Sequence, residues 1–447
     1  MEAITRHFSL DLYVSISNIV ILGSSLRPEN SETRRQMHSY KIKAKLELAL
    51  SFVFILSASV QAQTVNTWKT TSTSTAWLVN ADWASGHVPT ATEIAQFGSW
   101  STAPSDFIAV NFSSAVGGVV SGGVYHLSAI EVAADRERDI TIASNNAAVG
   151  TFVLSGATLN STDNVIIRND SAHLLTFKSP YTANNYTYNI GLANATDNVI
   201  RIDGAGGIAI EANISDSGGA QHLSLAGSGS GVLTLSGANT YTGGTTLSGG
   251  TLVANNVTGT SATGTGTVTV ASGGTLLGNG FIRGNATVES GGRLGPGLVG
   301  SVGTLTFDGN LDISGLAAAD DGGLLFDLGA SSDSIALSTG TLTIGSGLLG
   351  LSDFSYTDSG TLATGDYTLF STSQSISGLL NTGDSTGTFG AYNLSLGFSP
   401  DRQNLILSVS AAAIPEPGTW ALLIGGVVLG FAVQHRVRRR NAATATS

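Results

Sequence analysis

Residues 231–256 read "GVLTLSGANTYTGGTTLSGGTLVANN", and they contain three short segments in which apolar and polar residues alternate. The segments are Val232–Leu235, Thr245–Leu247 and Thr251–Val253, and glycine-containing turns separate them. Alternation with a period of two is typical of a half-buried β-strand, whereas glycine permits tight corners between strands. This part of the sequence therefore predicts short strands joined by turns, without helix.

The tripeptide Ser-Gly-Gly, followed each time by a strand-like segment, returns along the chain. It begins at Ser248, Ser272 and Ser290. Both intervals are close to the length of one coil of a β-solenoid, in which stacked coils share a column of apolar side chains that no single coil could bury. A β-sandwich is the competing interpretation, because strand periodicity alone does not distinguish stacking from sandwiching.

Two weaker echoes lie upstream of this region. The sequence Thr-Asp-Asn-Val-Ile occurs at residues 162–166 and again at 196–200. The stretch "GTFVLSGATLN" at residues 150–160 also echoes "GVLTLSGANT" at residues 231–240. Both echoes indicate that the repeated architecture begins well before residue 231.

Residues 233–255, "LTLSGANTYTGGTTLSGGTLVAN", resemble the autotransporter-associated β-strand repeat almost throughout. The resemblance implies an all-β fold, a right-handed parallel β-helix of the kind found in autotransporter passenger domains. We expect the passenger-type helix without a membrane β-barrel, so self-transport is not implied.

Composition limits the classes of function. Only 11% of the residues are charged and there is no cysteine, which excludes disulfides and cysteine-ligated metals. Residues 63–413 contain 9 Lys and Arg residues against 25 Asp and Glu residues, a net charge of −16. Because nucleic-acid binding requires clustered basic residues, no nucleic-acid partner is expected.

The beginning of the chain has the layout of a secretory signal peptide. Lysines at positions 41, 43 and 45 precede an apolar stretch, Leu48–Leu56, and small residues follow. This order predicts a signal peptide at residues 37–62, cleaved by signal peptidase between Ala62 and Gln63. An uncleaved N-terminal membrane anchor is the alternative. We expect translation to begin at Met37, which would make residues 1–36 an upstream extension.

The end of the chain has a second ordered pattern. The motif Pro415-Glu416-Pro417, followed by Gly418, precedes an apolar run, Trp420–Val433, and then a basic cluster. As a helix the run is about 21 Å long against a hydrocarbon core of about 30 Å, so it spans a membrane only marginally. The basic residues would stay in the cytoplasm and leave the proline motif outside; they are Arg436, Arg438, Arg439 and Arg440.

Residues 414–440 resemble the C-terminal sorting signal of PEP-CTERM proteins, in which a Pro-Glu-Pro motif, a short apolar helix and an arginine-rich tail occur in this order. The resemblance implies recognition and cleavage by an exosortase, with export to the envelope or extracellular matrix of a Gram-negative bacterium. The implied sorting residues are Pro415, Glu416, Pro417, Gly418, Arg438, Arg439 and Arg440. A plain single-pass tail anchor is the alternative.

Tryptophans are concentrated at the start of the mature chain. Four of the five tryptophans lie within residues 68–100, and they are Trp68, Trp77, Trp83 and Trp100. Because the first coil of a solenoid must hide its apolar cross-section, we interpret residues 63–104 as a capping segment. The alternative is a platform on which sugar rings stack, with Trp77 and Trp83 as the glycan contacts.

No catalytic, metal or cofactor site is predicted. From residue 231 to 301 the only charged residues are Arg283, Glu289 and Arg293, whereas glycoside hydrolysis needs two facing carboxylates. The histidines show no zinc-binding spacing, and the glycine tracts lack the features of a phosphate loop or a calcium repeat. The scattered acidic candidates are interpreted as turn or solvated residues: Asp197, Asp203, Asp320 and Asp321.

The sequence thus predicts a cap at 63–104, a solenoid at 105–313, closing strands at 314–410 and the sorting signal at 414–440. The expected function is that of an exported, non-enzymatic protein of the cell surface or biofilm matrix, structural or adhesive in role. Its expected partners are the general secretion machinery, signal peptidase, an exosortase and extracellular polysaccharide. A carbohydrate-binding module is the alternative, followed by a polysaccharide-active enzyme.

Overall fold

A computed structural model describes residues 63–69, 76–98, 107–110, 120–121, 123–144, 150–159, 162–179, 187–194, 196–316, 322–412, 427–436 and 438. These residues form thirty-five β-strands, two short 3-10 turns (Asn80–Asp82 and Leu351–Asp353) and one helical segment at 427–436. They all belong to one unit of the chain, Gln63–Ser447. The all-β prediction is confirmed.

The strands of the first half are β1 (Thr64–Thr67), β2 (Glu93–Phe97), β3 (Phe107–Val110), β4 (Val120–Ser121), β5 (Val124–Leu127), β6 (Ala129–Val132), β7 (Ile140–Ser144), β8 (Gly150–Leu154), β9 (Ala157–Leu159), β10 (Thr162–Asn169), β11 (Leu175–Lys178), β12 (Tyr188–Leu192), β13 (Asn198–Ile202), β14 (Ile208–Ile210), β15 (Asn213–Asp216), β16 (Leu223–Ala226) and β17 (Val232–Leu235).

The strands of the second half are β18 (Thr245–Leu247), β19 (Gly250–Ala254), β20 (Val268–Val270), β21 (Gly274–Gly278), β22 (Phe281–Ile282), β23 (Ala286–Val288), β24 (Arg293–Leu294), β25 (Thr304–Phe307), β26 (Leu311–Asp312), β27 (Leu324–Leu328), β28 (Ser334–Leu337), β29 (Leu342–Leu349), β30 (Phe354–Asp358), β31 (Gly365–Thr372), β32 (Ser377–Leu380), β33 (Thr386–Phe389), β34 (Tyr392–Phe398) and β35 (Asn404–Ala411).

The strands stack into three faces of a solenoid. The first sheet has the order β1-β2-β6-β10-β13-β16-β18-β20-β23-β26-β29-β32, and the second has the order β3-β7-β11-β14-β17-β19-β21-β24-β27-β30. The third face consists of a five-stranded sheet in the early coils and a seven-stranded sheet in the late ones. Neighbours in the first two sheets pair in parallel along these orders, for example β16 with β18 and β17 with β19. Three stacked, mainly parallel sheets exclude the two-sheet β-sandwich.

The interior is a set of apolar columns. Leu233, Leu252, Leu276, Leu294 and Leu324 are successive register partners in the second sheet, and each is fully buried. Full burial of one such side chain contributes about 1.5–3 kcal/mol relative to leaving it exposed. A column therefore gives each coil a favourable contact with the coils before and after it.

The coil spacing predicted from Ser-Gly-Gly is confirmed. Thr251, Thr275 and Arg293 are register partners, and each lies directly after the glycine pair of its tripeptide. The Thr-Asp-Asn-Val-Ile echo is also structural, because Val165 pairs with Val199 in the first sheet. A bulge follows at this point, and Asn164 has a φ of 62°.

The other upstream echo does not mark equivalent positions. Gly150–Leu154 forms β8 in the five-stranded sheet, whereas Val232–Leu235 forms β17 in the second sheet. The two stretches share their alternation of polar and apolar residues, and this pattern suits any face of the solenoid.

Antiparallel strands close the C-terminal end of the solenoid. Strand β35 lies between β31 and β34 and is antiparallel to both, and β33 forms a hairpin with β34. The Phe389 ring of this hairpin lies 6.2 Å from the Tyr356 ring of β30, measured between centroids. Tyr392 Oη donates a hydrogen bond to the carbonyl of Leu362 at 2.9 Å. The hairpin therefore packs against the end of the last coil.

The described part of the tail is helical and exposed. Residues 427–436 form a helix whose apolar side chains are 53–70% exposed. Among the described residues, no helix is long and apolar enough to cross a membrane. Residues 420–426 of the predicted membrane span lie outside the described part of the chain. The prediction of a transmembrane sorting helix is therefore not supported by the structure as described.

Candidate functional site

The repeat-like sequence at 231–256 folds into one complete coil and the start of the next. It contributes β17 to the second sheet, β18 to the first sheet and β19 to the second sheet again. Leu233 of β17 and Leu252 of β19 are register partners. Residues 236–244, all of which the structure describes, contribute no strand to the third face, and isolated backbone hydrogen bonds together with polar side chains connect the coils there.

Asn239 is the main polar link on this face. Its Oδ1 accepts a hydrogen bond from the backbone N–H of Ile214 at 2.8 Å, in the preceding coil. Its Nδ2 donates to the carbonyl of Ala262 at 2.6 Å, in the following coil. Because Asn239 is only 3% exposed, these bonds satisfy backbone groups that water does not reach. The side chain thus adds two hydrogen bonds between coils to the backbone bonds that Asn239 makes with Ser261 and Thr240 makes with Ile214.

Tyr241 and Thr245 fix the corner that leads into β18. Tyr241 is fully buried, and its Oη lies 2.7 Å from Thr245 Oγ1, which also donates to the carbonyl of Thr263. Burial raises the pKa of the Tyr241 phenol well above its usual value, with the Thr245 hydrogen bond acting in the opposite direction. Gly244, between them, has a φ of 96°, a conformation that other residues rarely adopt. The repeat sequence is accounted for by coil geometry.

Residues 228–254 match the profile of the passenger-associated-transport-repeat family. The match covers one coil, whereas the solenoid continues on both sides of it. No curated protein matches the chain. Together with the stacked parallel sheets, the match indicates a passenger-like protein of the extracellular or cell-surface type. It includes Asn239, Tyr241 and Gly244, so the repeat spans the links that hold neighbouring coils together.

The tryptophans of the first coil are inside the protein. Trp68, Trp77 and Trp83 are 1%, 0% and 0% exposed. Trp83 stacks edge-on against Trp68 at 4.9 Å and against Trp77 at 5.3 Å, measured between ring centroids. The aromatic contacts continue into the next coils, where Trp77 meets Tyr125 and Phe152. Trp100 lies outside the described residues.

This burial bears directly on the glycan-contact interpretation. A sugar stacks on an aromatic ring only if one face of the ring reaches solvent, and neither Trp77 nor Trp83 has such a face here. The interpretation of these two residues as glycan contacts is therefore not supported. Their position in the first coil, where a solenoid needs a plug, suits the core packing that the structure shows.

Gln63, the residue after the predicted signal-peptide cleavage point, is attached to the solenoid. Its Nε2 donates to Ser128 Oγ and to the carbonyl of Gly156, both at 3.0 Å. Strand β1 begins at the next residue, Thr64. Ala62 lies outside the described residues.

Most of the predicted sorting residues are not described. Pro415, Glu416, Pro417, Gly418, Arg439 and Arg440 lie outside the described part of the chain. Arg438 is described, is exposed and follows the helical segment after an interval of one residue. The apolar-then-basic order at 427–438 is therefore visible in the structure, and the motif that precedes it is not.

A charged cluster on the first sheet was not recognised in the sequence. Arg168 is 5% exposed, and its guanidinium donates to Asp170 at 2.7 Å and to Asp203 at 2.8 Å. Arg201, the register partner of Arg168, donates to the same Asp203 oxygen at 2.7 Å. Arg168 and Arg201 carry like charges and lie opposite each other on adjacent strands, which is unfavourable by itself. The Asp203 carboxylate, which accepts hydrogen bonds from both, offsets this repulsion.

The cluster also determines the ionisation of Asp203. Burial on its own raises the pKa of this carboxyl, but the hydrogen bond and charge of Arg201, together with the charge of Arg168, hold it below its usual value. Asp203 was interpreted as a turn or solvated residue, and it is an ion-pair partner instead. The relevant signal, the placement of Arg168 and Arg201 at equivalent positions of adjacent coils, appears in the sequence only once the coil register is known.

A second unrecognised group involves the other early acidic candidate. Asp197 Oδ1 lies 2.9 Å from His222 Nδ1, and His222 Nε2 lies 3.0 Å from Thr246 Oγ1. Three successive coils contribute these three residues. His222 and Asp197 have side chains that are 32% and 29% exposed, so the group opens to solvent.

Two further carboxylates lie inside the late coils. Asp327 and Asp333 are 3% and 1% exposed, and they accept hydrogen bonds from backbone N–H groups of the loop at 297–303. Burial raises the pKa of Asp333 to about 6, with the nearby Asp327 charge adding to the effect and backbone hydrogen bonds opposing it. Asp320 and Asp321 lie outside the described residues. Within the described part of the chain, no three acidic or histidine side chains are grouped to hold a metal ion.

Proposed function

We propose that the chain is an exported, non-enzymatic β-solenoid of the cell surface or extracellular matrix with a structural or adhesive role. In this proposal the C-terminal segment inserts transiently into the inner membrane. An exosortase then recognises Pro415, Glu416 and Pro417 and cuts the chain there. The stacked coils and the passenger-type repeat support the extracellular setting, and the order of residues in the tail supports the sorting step.

The sorting step rests on the order of residues in the tail, and the exposed apolar side chains of the helix at 427–436 are compatible with it. Val428, Leu429 and Phe431 are 61%, 69% and 70% exposed, and Val427 and Val433 also lie largely in solvent. A helix that is apolar around most of its circumference is stable in hydrocarbon and unfavourable in water. Arg436 and Arg438 follow it and would lie at the cytoplasmic interface. The ten helical residues reach about 15 Å, so insertion requires residues 420–426 to extend the helix.

The structural or adhesive role is supported by the surface of the central coils. Their outward positions are mainly Thr, Ser, Gly and Asn, and the three charged residues between 231 and 301 lie apart, Arg293 in β24 and Arg283 and Glu289 directly after β22 and β23. The coils are tied together by columns of leucine and by Asn239, which suits an elongated scaffold. We propose extracellular polysaccharide as a neighbour of this polar surface rather than of the buried tryptophans.

The sorting step is tested by expressing the full chain in a Gram-negative host with and without an exosortase. Mass spectrometry of the exported protein should find a new C-terminus near residue 415 only when the exosortase is present. Glu416→Gln should abolish the cleavage. Glu289→Gln, which changes an exposed glutamate of the solenoid, is the matched control and should be cleaved normally. Exported protein that retains Arg440 in the presence of the exosortase would contradict the proposal.

The matrix role has a separate test. The exported protein is mixed with the insoluble extracellular polysaccharide of its host and sedimented. Retention in the pellet supports an adhesive role, and loss of matrix cohesion in a strain without the protein supports a structural one. A protein that stays in the supernatant and whose deletion leaves the matrix unchanged would contradict both.

A further inference from the structure

Three threonines occupy equivalent positions on the outer side of the first sheet. Thr246, Thr269 and Thr287 are successive register partners, each the middle residue of a three-residue strand. Each is half-buried between two fully buried neighbours in its own strand. Because the backbone surroundings are the same, any difference in the chemistry of these hydroxyls comes from the side chains beside them.

Thr246 differs from the other two because a histidine contacts it. His222 Nε2 lies 3.0 Å from Thr246 Oγ1. In the described part of the chain, neither Thr269 nor Thr287 has a side-chain hydrogen bond. The three positions thus provide one hydroxyl with a neighbouring base and two matched hydroxyls without one.

Asp197 fixes the orientation of the histidine ring. Its Oδ1 accepts a hydrogen bond from His222 Nδ1 at 2.9 Å. When Nδ1 carries the proton, Nε2 has a free lone pair directed at the Thr246 hydroxyl. A hydroxyl, a base within hydrogen-bond reach and a carboxylate that orients the base are the parts of an activated nucleophile.

The electrostatics agree with this arrangement. Partial burial on its own raises the pKa of Asp197, but hydrogen bonds from His222, Ser224 and the Asn198 N–H lower it below its usual value. The carboxylate is therefore ionised at neutral pH and stabilises positive charge on the imidazole. With the His222 and Asp197 side chains about one third exposed, a small reagent in solution can approach the group.

We propose that Thr246 is an acyl-acceptor site that reacts with activated esters. Thr246 Oγ1 forms a bond to the acyl carbon, and the bond from that carbon to the leaving oxygen breaks. The hydroxyl proton passes to His222 Nε2 and then to the leaving oxygen. The strand β18 pairs on both sides, with β16 and β20, which leaves its N–H groups committed to the sheet. Because these committed groups cannot stabilise an oxyanion in either acylation or hydrolysis, the site reacts only with esters that have a good leaving group. The acyl-threonine product is an ordinary alkyl ester with a poor leaving group, so it persists.

The first test compares sites within one molecule. The full-length protein is incubated with p-nitrophenyl acetate at neutral pH and digested, and acetylation of each threonine is measured by mass spectrometry over time. General-base assistance contributes about 10²–10⁴-fold, so Thr246 should be acetylated at least ~10² times faster than Thr269 or Thr287. Equal rates at the three positions would overturn the proposal.

The second test removes the base. His222→Gln should reduce acetylation of Thr246 to the level of Thr269, while Thr269 itself is unchanged and reports that the coils are intact. The matched control is His173→Gln, since His173 lies 3.5 Å from Asp139 and is an equally simple histidine–aspartate pair. It should leave Thr246 acetylation unaffected. If His222→Gln leaves the Thr246 rate unchanged, or if His173→Gln lowers it equally, the assignment fails. The wild-type comparison remains decisive if a variant does not fold.

Discussion

Trp83 donates its indole N–H to the backbone carbonyl of Trp77 at 2.9 Å, and the two ring centroids lie 5.3 Å apart. The bond joins two residues whose side chains are both fully buried in the first coil. A buried indole N–H usually has a hydrogen-bond acceptor, and for Trp83 the acceptor is the carbonyl of Trp77. This hydrogen bond thus orients the Trp83 ring inside the aromatic cluster of the first coil.

Trp83→Ala should destabilise the N-terminal coils by about 3–5 kcal/mol, because it leaves a cavity in the aromatic cluster. Trp83→Phe removes the indole N–H but keeps an aromatic ring in the cluster, so it should reduce the free energy of unfolding by less than Trp83→Ala does. Urea denaturation followed by circular dichroism measures both. The control is Leu379→Ala, at a side chain that is 58% exposed, which should stay within about 0.5 kcal/mol of wild type. A stable Trp83→Ala protein would show that the cluster does not hold the coil.

Asn239→Ala should cost about 1–3 kcal/mol, because it leaves the N–H of Ile214 and the carbonyl of Ala262 without this partner inside the protein. Hydrogen exchange should show the loss as faster exchange at Ile214 and its neighbours. Asn393→Ala removes an exposed asparagine from the C-terminal hairpin and is the matched control. Unchanged exchange at Ile214 in the Asn239 variant would contradict the bridging role.

Asp203→Asn should destabilise the protein at pH 7, because Arg168 and Arg201 would then face each other without a carboxylate between them. The pKa of Asp203 is lower in the folded protein than in the unfolded chain, so its contribution is present at neutral pH and is lost as the pH falls through the folded value. Thermal unfolding should therefore show a difference between variant and wild type that shrinks toward pH 3. A difference that stays constant with pH would contradict this account.

Asp333 should make the stability of the folded protein depend on pH in the opposite direction. Its pKa of about 6 in the folded protein exceeds the value of about 3.9 in an unfolded chain, so the folded state loses stability as the pH rises from about 4 to about 6. Asp333→Asn cannot ionise and should flatten this part of the stability profile, as measured by urea denaturation at pH 4.5 and pH 7. An unchanged slope would show that another group is responsible.

The sequence predicted the coil architecture well because the determinants are local. Glycine corners and alternating apolar residues at 231–256 specify short strands wherever they occur, and the Ser-Gly-Gly spacing matched the register that joins Thr251, Thr275 and Arg293. The same local pattern does not specify the face of the solenoid to which a strand belongs. The echo at 150–160 has a strand pattern like that of 231–240, yet it lies on another face, because alternation does not record which face a strand occupies.

The side-chain groups could not be predicted because they depend on register across coils. Asp197, His222 and Thr246 come together only when three coils of unequal length are stacked. The burial of Trp77 and Trp83 follows from the position of the first coil, whereas the tryptophan spacing alone is compatible with either a plug or an exposed platform. The clustering of tryptophans in the sequence drew attention to Trp77 and Trp83. Only the folded structure shows which residues they contact.

The position of β35 between β31 and β34 determines how a force on the C-terminal segment would reach the solenoid. The chain leaves the solenoid at the end of this strand, which is held along both edges by antiparallel ladders. A pull on the tail, from a membrane or from a covalent attachment, reaches the solenoid through a strand that cannot peel away from one neighbour without straining the other. Any force applied to the chain after β35 would therefore be shared between two antiparallel ladders before it reached the parallel coils.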